Sequence, residues 1–238
     1  MSTTSVSAES VQVALDRIAK IQLQYSRYKH PLWKGLMEGH FEHHQVREFL
    51  RQMSIIPLYN HLYHGPLYVI CPDPEWRELI AEVVYEEGTG RLFADGQPHW
   101  KLWLRLGNVF GISDDEMWNA DLCPEAIAYR AFSYRICSGD FLEGVSAHML
   151  GAEAQVPGAV GSVSQGLKKK FGLSDHDLAF YIVHNEADAE HSDIGVKLLG
   201  RFAKSDADLE RAVKAATEMV LVSQVLFDAI HRRVLSAH

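Results

Sequence analysis

Val183-His184-Asn185-Glu186-Ala187-Asp188-Ala189-Glu190-His191 is the stretch on which the reading of this sequence turns. His184, Asp188 and His191 stand at i, i+4 and i+7. At roughly 100° per residue they share about 60° of a helix surface. Phe180 and Leu198 extend this stripe, and Leu178, Ile182, Ile194 and Leu199 fill positions around it. The spacing predicts a helix from Asp175 to Lys204, opened by Ser174 and Asp177 and buried along its length. Two imidazoles and a carboxylate on a buried helix are costly unless paired or bound to metal. Two nitrogen donors and one oxygen donor suit a first-row transition metal. Taken alone, the motif also fits a solvated charged stripe, because Glu186, Glu190 and Asp193 lie beside it.

Working outward, the chain reads as helix nearly throughout. Apolar residues recur at helical spacing from Val11 to Tyr28, from His43 to Tyr63 with Pro57 as a kink, and from Glu75 to Glu87 before Gly88-Thr89-Gly90. Further helices are expected over His99–Phe110, from the Ser113 cap with Glu116, over Pro124–Ser138 and over Asp140–Val156, stopped by Pro157-Gly158. Ser205 with Asp208 opens the last one, through Leu235. No Asn-Gly or Asp-Gly pair is flanked by alternating residues, so strands are not expected. The architecture is an all-α bundle, and cofactor sites in bundles sit between facing helices.

The chain has 238 residues, a formal charge of −8 and a hydrophobic fraction of 47%. Those values describe one globular domain, expected over 11–238, with 1–10 as a flexible polar tail. The acidic balance sets nucleic-acid binding aside. No run of 18 apolar residues predicts a membrane span. Cys71, Cys123 and Cys137 have no C-x-x-C spacing, which favours a reducing, cytoplasmic setting over a disulfide framework or zinc ribbon. The thirteen histidines are an unusually large share.

Two more segments offer metal-ligating side chains. Glu153 stands alone as an acid on the largely apolar Asp140–Val156 helix, one turn after Met149 and Leu150. Glu86 ends an apolar helix, and His99 opens the next. Glu86, His99, Glu153, His184, Asp188 and His191 make six mixed nitrogen and oxygen ligands, about what a two-metal centre with a bridging carboxylate needs. No glutamate has a histidine three residues on, so this is not the Glu-x-x-His pattern of ferritin-like bundles. Glu87 and Glu190 point about 100° away from their neighbours and are read as bystanders.

Glu86-Glu87-x-x-Gly90 with His99, Cys137-Ser138-Gly139-Asp140, Glu153-Ala154-Gln155-Val156-Pro157 and His184-x-x-x-Asp188-x-x-His191 resemble the haem-oxygenase-like di-metal oxidases. The branch is that of the chlamydial death-domain-associating protein and the PQQ-synthase-like and thiaminase-II-like proteins. The resemblance covers roughly 28–199. It implies a haem-oxygenase-like bundle of about seven core helices and two Fe(II) per chain, or manganese, on the same six residues. It also implies O2 as co-substrate and oxidation of a small molecule, an amino acid or amine-derived compound in natural-product or cofactor biosynthesis. N-oxygenation, oxidative C–C cleavage, decarboxylation and nitrile formation are the outcomes it suggests, with an external electron donor and a homodimer compatible with the family. The Glu86–His99 gap is longer than in these relatives. The p-aminobenzoate-forming branch consumes its own tyrosine and has a lysine after the bridging glutamate. This sequence aligns Trp33 and Val163 there, which argues against self-sacrificing synthesis.

Phe180, Tyr59 and Trp33 are expected to line a substrate pocket. His61 and His64, beside Tyr59, Tyr63 and Tyr68, read as a packed aromatic face bordering it, with a role for one or two of them behind the ligands or at the substrate as the alternative. His40, His43 and His44 read as a polar helix start, and Lys168-Lys169-Lys170 as a solvated helix end. Two rival functions remain. One is a metal-free enzyme of the same fold, thiaminase-II-like with Cys137 as nucleophile or cofactorless and PQQ-synthase-like. The other is a non-enzymatic interaction protein, which requires an exposed apolar patch. Cys137 itself reads most simply as a small buried hydrophobe.

Overall fold

The structure is a computed structural model that describes residues 6–154 and 159–238, with backbone alone over 185–192. In chain order its helices are α1 (Ala8–Gln24), α2 (Pro31–Met37), α3 (His43–Met53), α4 (His61–Ile70), α5 (Pro74–Thr89), α6 (His99–Val109), α7 (Asp114–Trp118), α8 (Pro124–Cys137) and α9 (Phe141–Val145). A π-helical stretch, Ser146–Glu153, continues α9, and α10 (Ala159–Phe171), α11 (Ala179–Phe202) and α12 (Asp206–Ser236) follow. The described residues contain no strand, and none of their helices is long and apolar enough to cross a membrane. The all-α bundle expected from the sequence is the fold observed.

Local chemistry explains most boundaries. Ser113 and Glu116 form a reciprocal capping box at α7, and Ser205 accepts from the Asp208 N–H at α12. Pro74 and Pro124 occupy first turns, where the missing N–H costs nothing. Ser7 accepts from the Ser10 N–H, so α1 reaches back to Ala8, into the segment read as a tail. Pro57 does more than kink its helix. Residues 54–60 form turns that separate α3 from α4, because proline donates no N–H and disfavours helical backbone in the residue before it. The helices α2 and α10 lie outside the segments assigned by periodicity.

The principal core gathers Trp33, Phe49, Trp103, Leu50 and Leu106 with the inner faces of α5, α8, α11 and α12. A second apolar cluster lies under α1 and the first turns of α12. On α11, Leu178, Ile194, Leu198 and Leu199 are buried as expected, but Ile182 is 40% exposed, so this helix keeps a solvent edge. The α9–π segment is covered by both α11 and α12, and it carries one wall of the interior cavity described below.

A buried histidine ties part of this frame to pH. His30 caps α2 by accepting the Leu32 N–H on Nδ1 at 3.2 Å, while Nε2 lies 3.1 Å from Asp228 Oδ1. Burial lowers its pKa more than Asp228 raises it. The unfolded chain, with a histidine pKa of about 6.5, takes up this proton more readily. Stability from this group is therefore complete above that value and is lost as pH falls through it toward the folded pKa. Replacing His30 by asparagine, a good cap that does not titrate, is expected to shrink the fall in melting temperature between about pH 7.5 and 5.5. Equal slopes in the two proteins would show that His30 is not the group responsible.

Candidate metal centre

Two converging sets of side chains face one interior cavity. The first is built by the turn between α5 and α6. Gly90 ends α5 in the left-handed conformation, φ +63°, and its N–H bonds to the Glu86 carbonyl. A Cβ at this position would stand 1.9 Å from the Gln97 carbonyl oxygen, so only glycine lets the loop close and return the chain to His99. Inside the loop, the buried Glu86 carboxylate accepts the Leu92 and Phe93 N–H groups at 2.6 and 3.1 Å. Glu86 Oε1 also lies 3.1 Å from His99 Nε2. Glu87, the next residue, has Oε1 3.1 Å from His99 Nδ1 and 3.9 Å from His184 Nε2. The Asn60 amide donates to its other oxygen.

Proton placement follows from these contacts. His184 Nδ1 lies 2.8 Å from the Phe180 carbonyl, an acceptor only, so Nδ1 carries the proton and Nε2 offers its lone pair toward Glu87. With Nε2–H of His99 given to Glu86, His99 Nδ1 is the lone-pair nitrogen facing Glu87. That pattern, a carboxylate behind a histidine, orients and strengthens metal-ligating imidazoles. Burial pushes the Glu87 carboxyl upward, but His99, then His184 and His64, outweigh it and hold the group well below the usual carboxylate range. Burial pulls His99 down, and Glu87 and Glu86 together raise it on balance.

The second set joins α4 to the π segment. His64 Nε2 lies 2.8 Å from Glu153 Oε1 and 2.9 Å from His148 Nε2, and His148 Nε2 lies 3.2 Å from the same Glu153 oxygen. His148 and Glu153 are five residues apart. On an α-helix that spacing turns them well away from each other. The π-type bond, seen in Ala154 N–H to the Met149 carbonyl at 3.1 Å, brings residues five apart onto one face. Such π segments are rare and concentrate at functional sites.

In each set, Glu87–His99–His184 and His64–His148–Glu153, the donor atoms lie within 4.8 Å of one another. Imidazole nitrogens with carboxylate oxygens are the donors that iron, manganese and zinc accept. Their close convergence in a buried site fits a bound divalent cation, which replaces the shared protons. His64, Glu87, His148, Glu153 and His184 line a common cavity of about 110 Å³.

Placement differs in part from the sequence reading. Glu86 and His99 touch, and His184 and Glu153 reach the cavity. Glu87, read as a bystander, faces His99 and His184, whereas Glu86 stands behind His99. His64, read as part of an aromatic face, pairs with Glu153, and His148 was not singled out at all. Asp188 and His191 lie on the α11 backbone, and their side chains fall outside the described residues. Trp33 and Phe180 are cavity walls. Tyr59 is not: its ring meets Trp118 edge to face and lies under the Arg130 guanidinium. Cys137 is fully buried, burial pushes its thiol far up, and it does not line the cavity.

A family model described as "iron-containing redox enzyme" matches residues 47–224. A curated relative, the 4-aminobenzoate synthase of Chlamydia muridarum, is 26% identical over 212 residues, which is 86% of this chain and 84% of that protein. Among solved structures, a CADD-like protein of unknown function from Nostoc punctiforme superposes with a TM-score of 0.77 at 13% identity, covering 96% of this chain and all of the other. A haem-oxygenase-like domain of unknown function from Shewanella denitrificans gives 0.73 at 14% identity, covering 91% and 90%. At such identities the structural likeness establishes a shared fold.

Proposed function

Because the chain belongs to the family of iron-containing redox enzymes, we propose that it holds two irons in this cavity and uses O2 to oxidise a small molecule. The observation that carries the reading is the pair of buried histidine–carboxylate sets on one cavity. Glu87, His99 and His184 form one ligand set, and His64, His148 and Glu153 the other. Asp188 and His191, at i+4 and i+7 from His184 in the sequence, would be further ligands on this reading. Glu86 acts behind His99 as a positioning carboxylate. Bound ferrous ions supply O2 binding and its reductive activation.

The chain's own residues do the rest. Phe180, Trp33 and Trp103 make apolar walls that exclude water and fix substrate orientation. Asn60 orients Glu87 through its amide. The resemblance points to an amino-acid or amine-derived substrate, and an external electron donor belongs to the reading wherever the substrate supplies fewer electrons than O2 reduction takes. Trp33 and Val163, aligned with the tyrosine and lysine of the aminobenzoate-forming branch, are both cavity walls. That supports an external substrate over one drawn from the chain itself. A thiaminase-like alternative has little support, since the buried Cys137 does not reach the cavity.

Anaerobic Fe(II) titration with iron counted per chain tests the proposal. Uptake of about two irons, with a transient visible absorbance on O2 exposure, is expected of a two-metal oxidase. Failure to take up iron would overturn it.

A further inference from the structure

The cavity's buried donors are of two kinds. Trp103 Nε1–H donates to the Leu50 carbonyl at 3.3 Å, the Tyr63 hydroxyl to the Ile55 carbonyl at 2.7 Å, and the Ser223 hydroxyl to the Met219 carbonyl at 2.8 Å. Trp33 Nε1–H and the Tyr181 hydroxyl have no acceptor among the described residues. Both side chains line the cavity, and they are only 3% and 4% exposed. The Arg27 guanidinium, another wall, stands 5.0 Å from the centre of the Trp33 ring. Its charge also acts on Tyr181, against the burial that raises that hydroxyl.

Among the described residues, donors without acceptors thus stand beside Arg27. Buried donors in folded proteins are nearly always paired, so two that lack an acceptor among the described residues, in a ligand-sized space, point to an acceptor on a ligand. A carboxylate is acceptor-only, offers lone pairs in several directions, and matches the planar guanidinium fork. An ammonium group at the same place would meet the like charge of Arg27. Tyr181 lies three residues before His184 on α11, a rise of roughly 4.5 Å, so this end of the cavity is about one helical turn from the metal-facing imidazole.

We propose that Arg27, Trp33 and Tyr181 form a carboxylate anchor that determines substrate specificity, holding an anionic small molecule whose other end faces the histidine–carboxylate sets. The anchor rests on the reading of this cavity as the substrate site. It narrows the substrate to a carboxylic acid whose body is aromatic or short and aliphatic, in keeping with the Phe180, Trp103 and Phe227 walls.

The test is direct binding by calorimetry and tryptophan fluorescence, with and without Fe(II) under anaerobic conditions. The probes are benzoate, phenylacetate and 3-phenylpropionate, each against its primary amide. At least one acid is expected to bind about tenfold or more tightly than its amide. Arg27→Gln removes that preference, Arg27→Lys keeps part of it, and Tyr181→Phe weakens acid binding a few-fold while leaving iron content unchanged. Equal binding of acids and amides, absence of binding by the whole panel, or an undiminished preference in Arg27→Gln overturns the anchor. Should Arg27→Gln fail to fold, Tyr181→Phe decides, and unchanged acid affinity there counts against the proposal. A preference that follows Arg27 in a protein that takes up no iron would leave the anchor standing and overturn the iron reading. Two irons without the preference would do the reverse.

Discussion

Glu87→Gln is expected to cost the protein one of the two irons proposed for the cavity, whereas Glu86→Gln keeps both with affinity about 10–100-fold lower at one of them. The residues are neighbours in sequence and both are buried, yet their surroundings differ. Glu87 shares its carboxylate oxygen with the lone-pair nitrogens of His99 and His184. A neutral amide there lacks the negative charge that makes a carboxylate oxygen a good ligand for iron. Glu86 is spent on the Leu92 and Phe93 N–H groups and on the far side of His99. Glutamine can keep one of these contacts, but its amide turns a donor toward a donor, a stability cost of about 1–3 kcal/mol. Iron counts after anaerobic dialysis, read beside thermal melts, separate the two effects. Loss of iron in Glu86→Gln with retention in Glu87→Gln would restore the assignment made from the sequence alone.

That contrast marks how far the sequence could be read. His184 is legible because α11 is a regular helix and its spacing reaches the cavity, while the side chains of Asp188 and His191 lie outside the described residues. Glu153 is legible because an acid on an apolar stripe has few purposes. The choice between Glu86 and Glu87 turns on 100° of helix phase at the last turn before Gly90, and on the loop that wraps back to His99. Nothing local encodes that return path except the glycine, whose left-handed backbone is recognised only once Gln97 is seen against it. His148 was hidden for a different reason. Read with α-helical spacing, it falls on the opposite side from Glu153, and the π geometry that turns them together lies in a stretch packed between α11 and α12, outside the reach of local periodicity. His64 was missed because Pro57 breaks the helix it was assigned to, which sets α4 in a new phase. The bundle itself was plain from periodicity and caps, since Ser113, Ser205, Pro74 and Pro124 act within their own helices. The unassigned helices differ: α2 is one proline-led pair of turns, whereas α10 spaces Ala159, Val163, Leu167 and Phe171 every four residues but sets glycine and serine, poor helix formers, between them.

Gly151→Val should strike the fold and the second ligand set together. Gly151 lies in the π stretch, where a Cβ would stand 2.8 Å from the Ala216 carbonyl oxygen and 3.0 Å from Met219 Cβ. Both neighbours belong to α12, the longest helix, and the nearer atom is backbone, so no side chain can swing aside. Overpacking of this kind costs about 1–3 kcal/mol, occasionally more. At roughly 2–4 °C per kcal/mol for a chain of this size, the melting temperature should fall by several degrees. The displaced stretch carries His148 and Glu153, so iron at that set should weaken while the Glu87–His99–His184 set retains its own. Gly200→Ala is the matched control: a Cβ there meets nothing within 4 Å, and removing a glycine from a helix interior stabilises by about 0.5–1 kcal/mol. A Gly151→Val protein that melts like wild type and still holds two irons would show that α12 does not shape this site. A fall in stability with one iron lost would tie the π geometry to the metal centre through helix packing, because valine at this position touches no metal-facing atom itself.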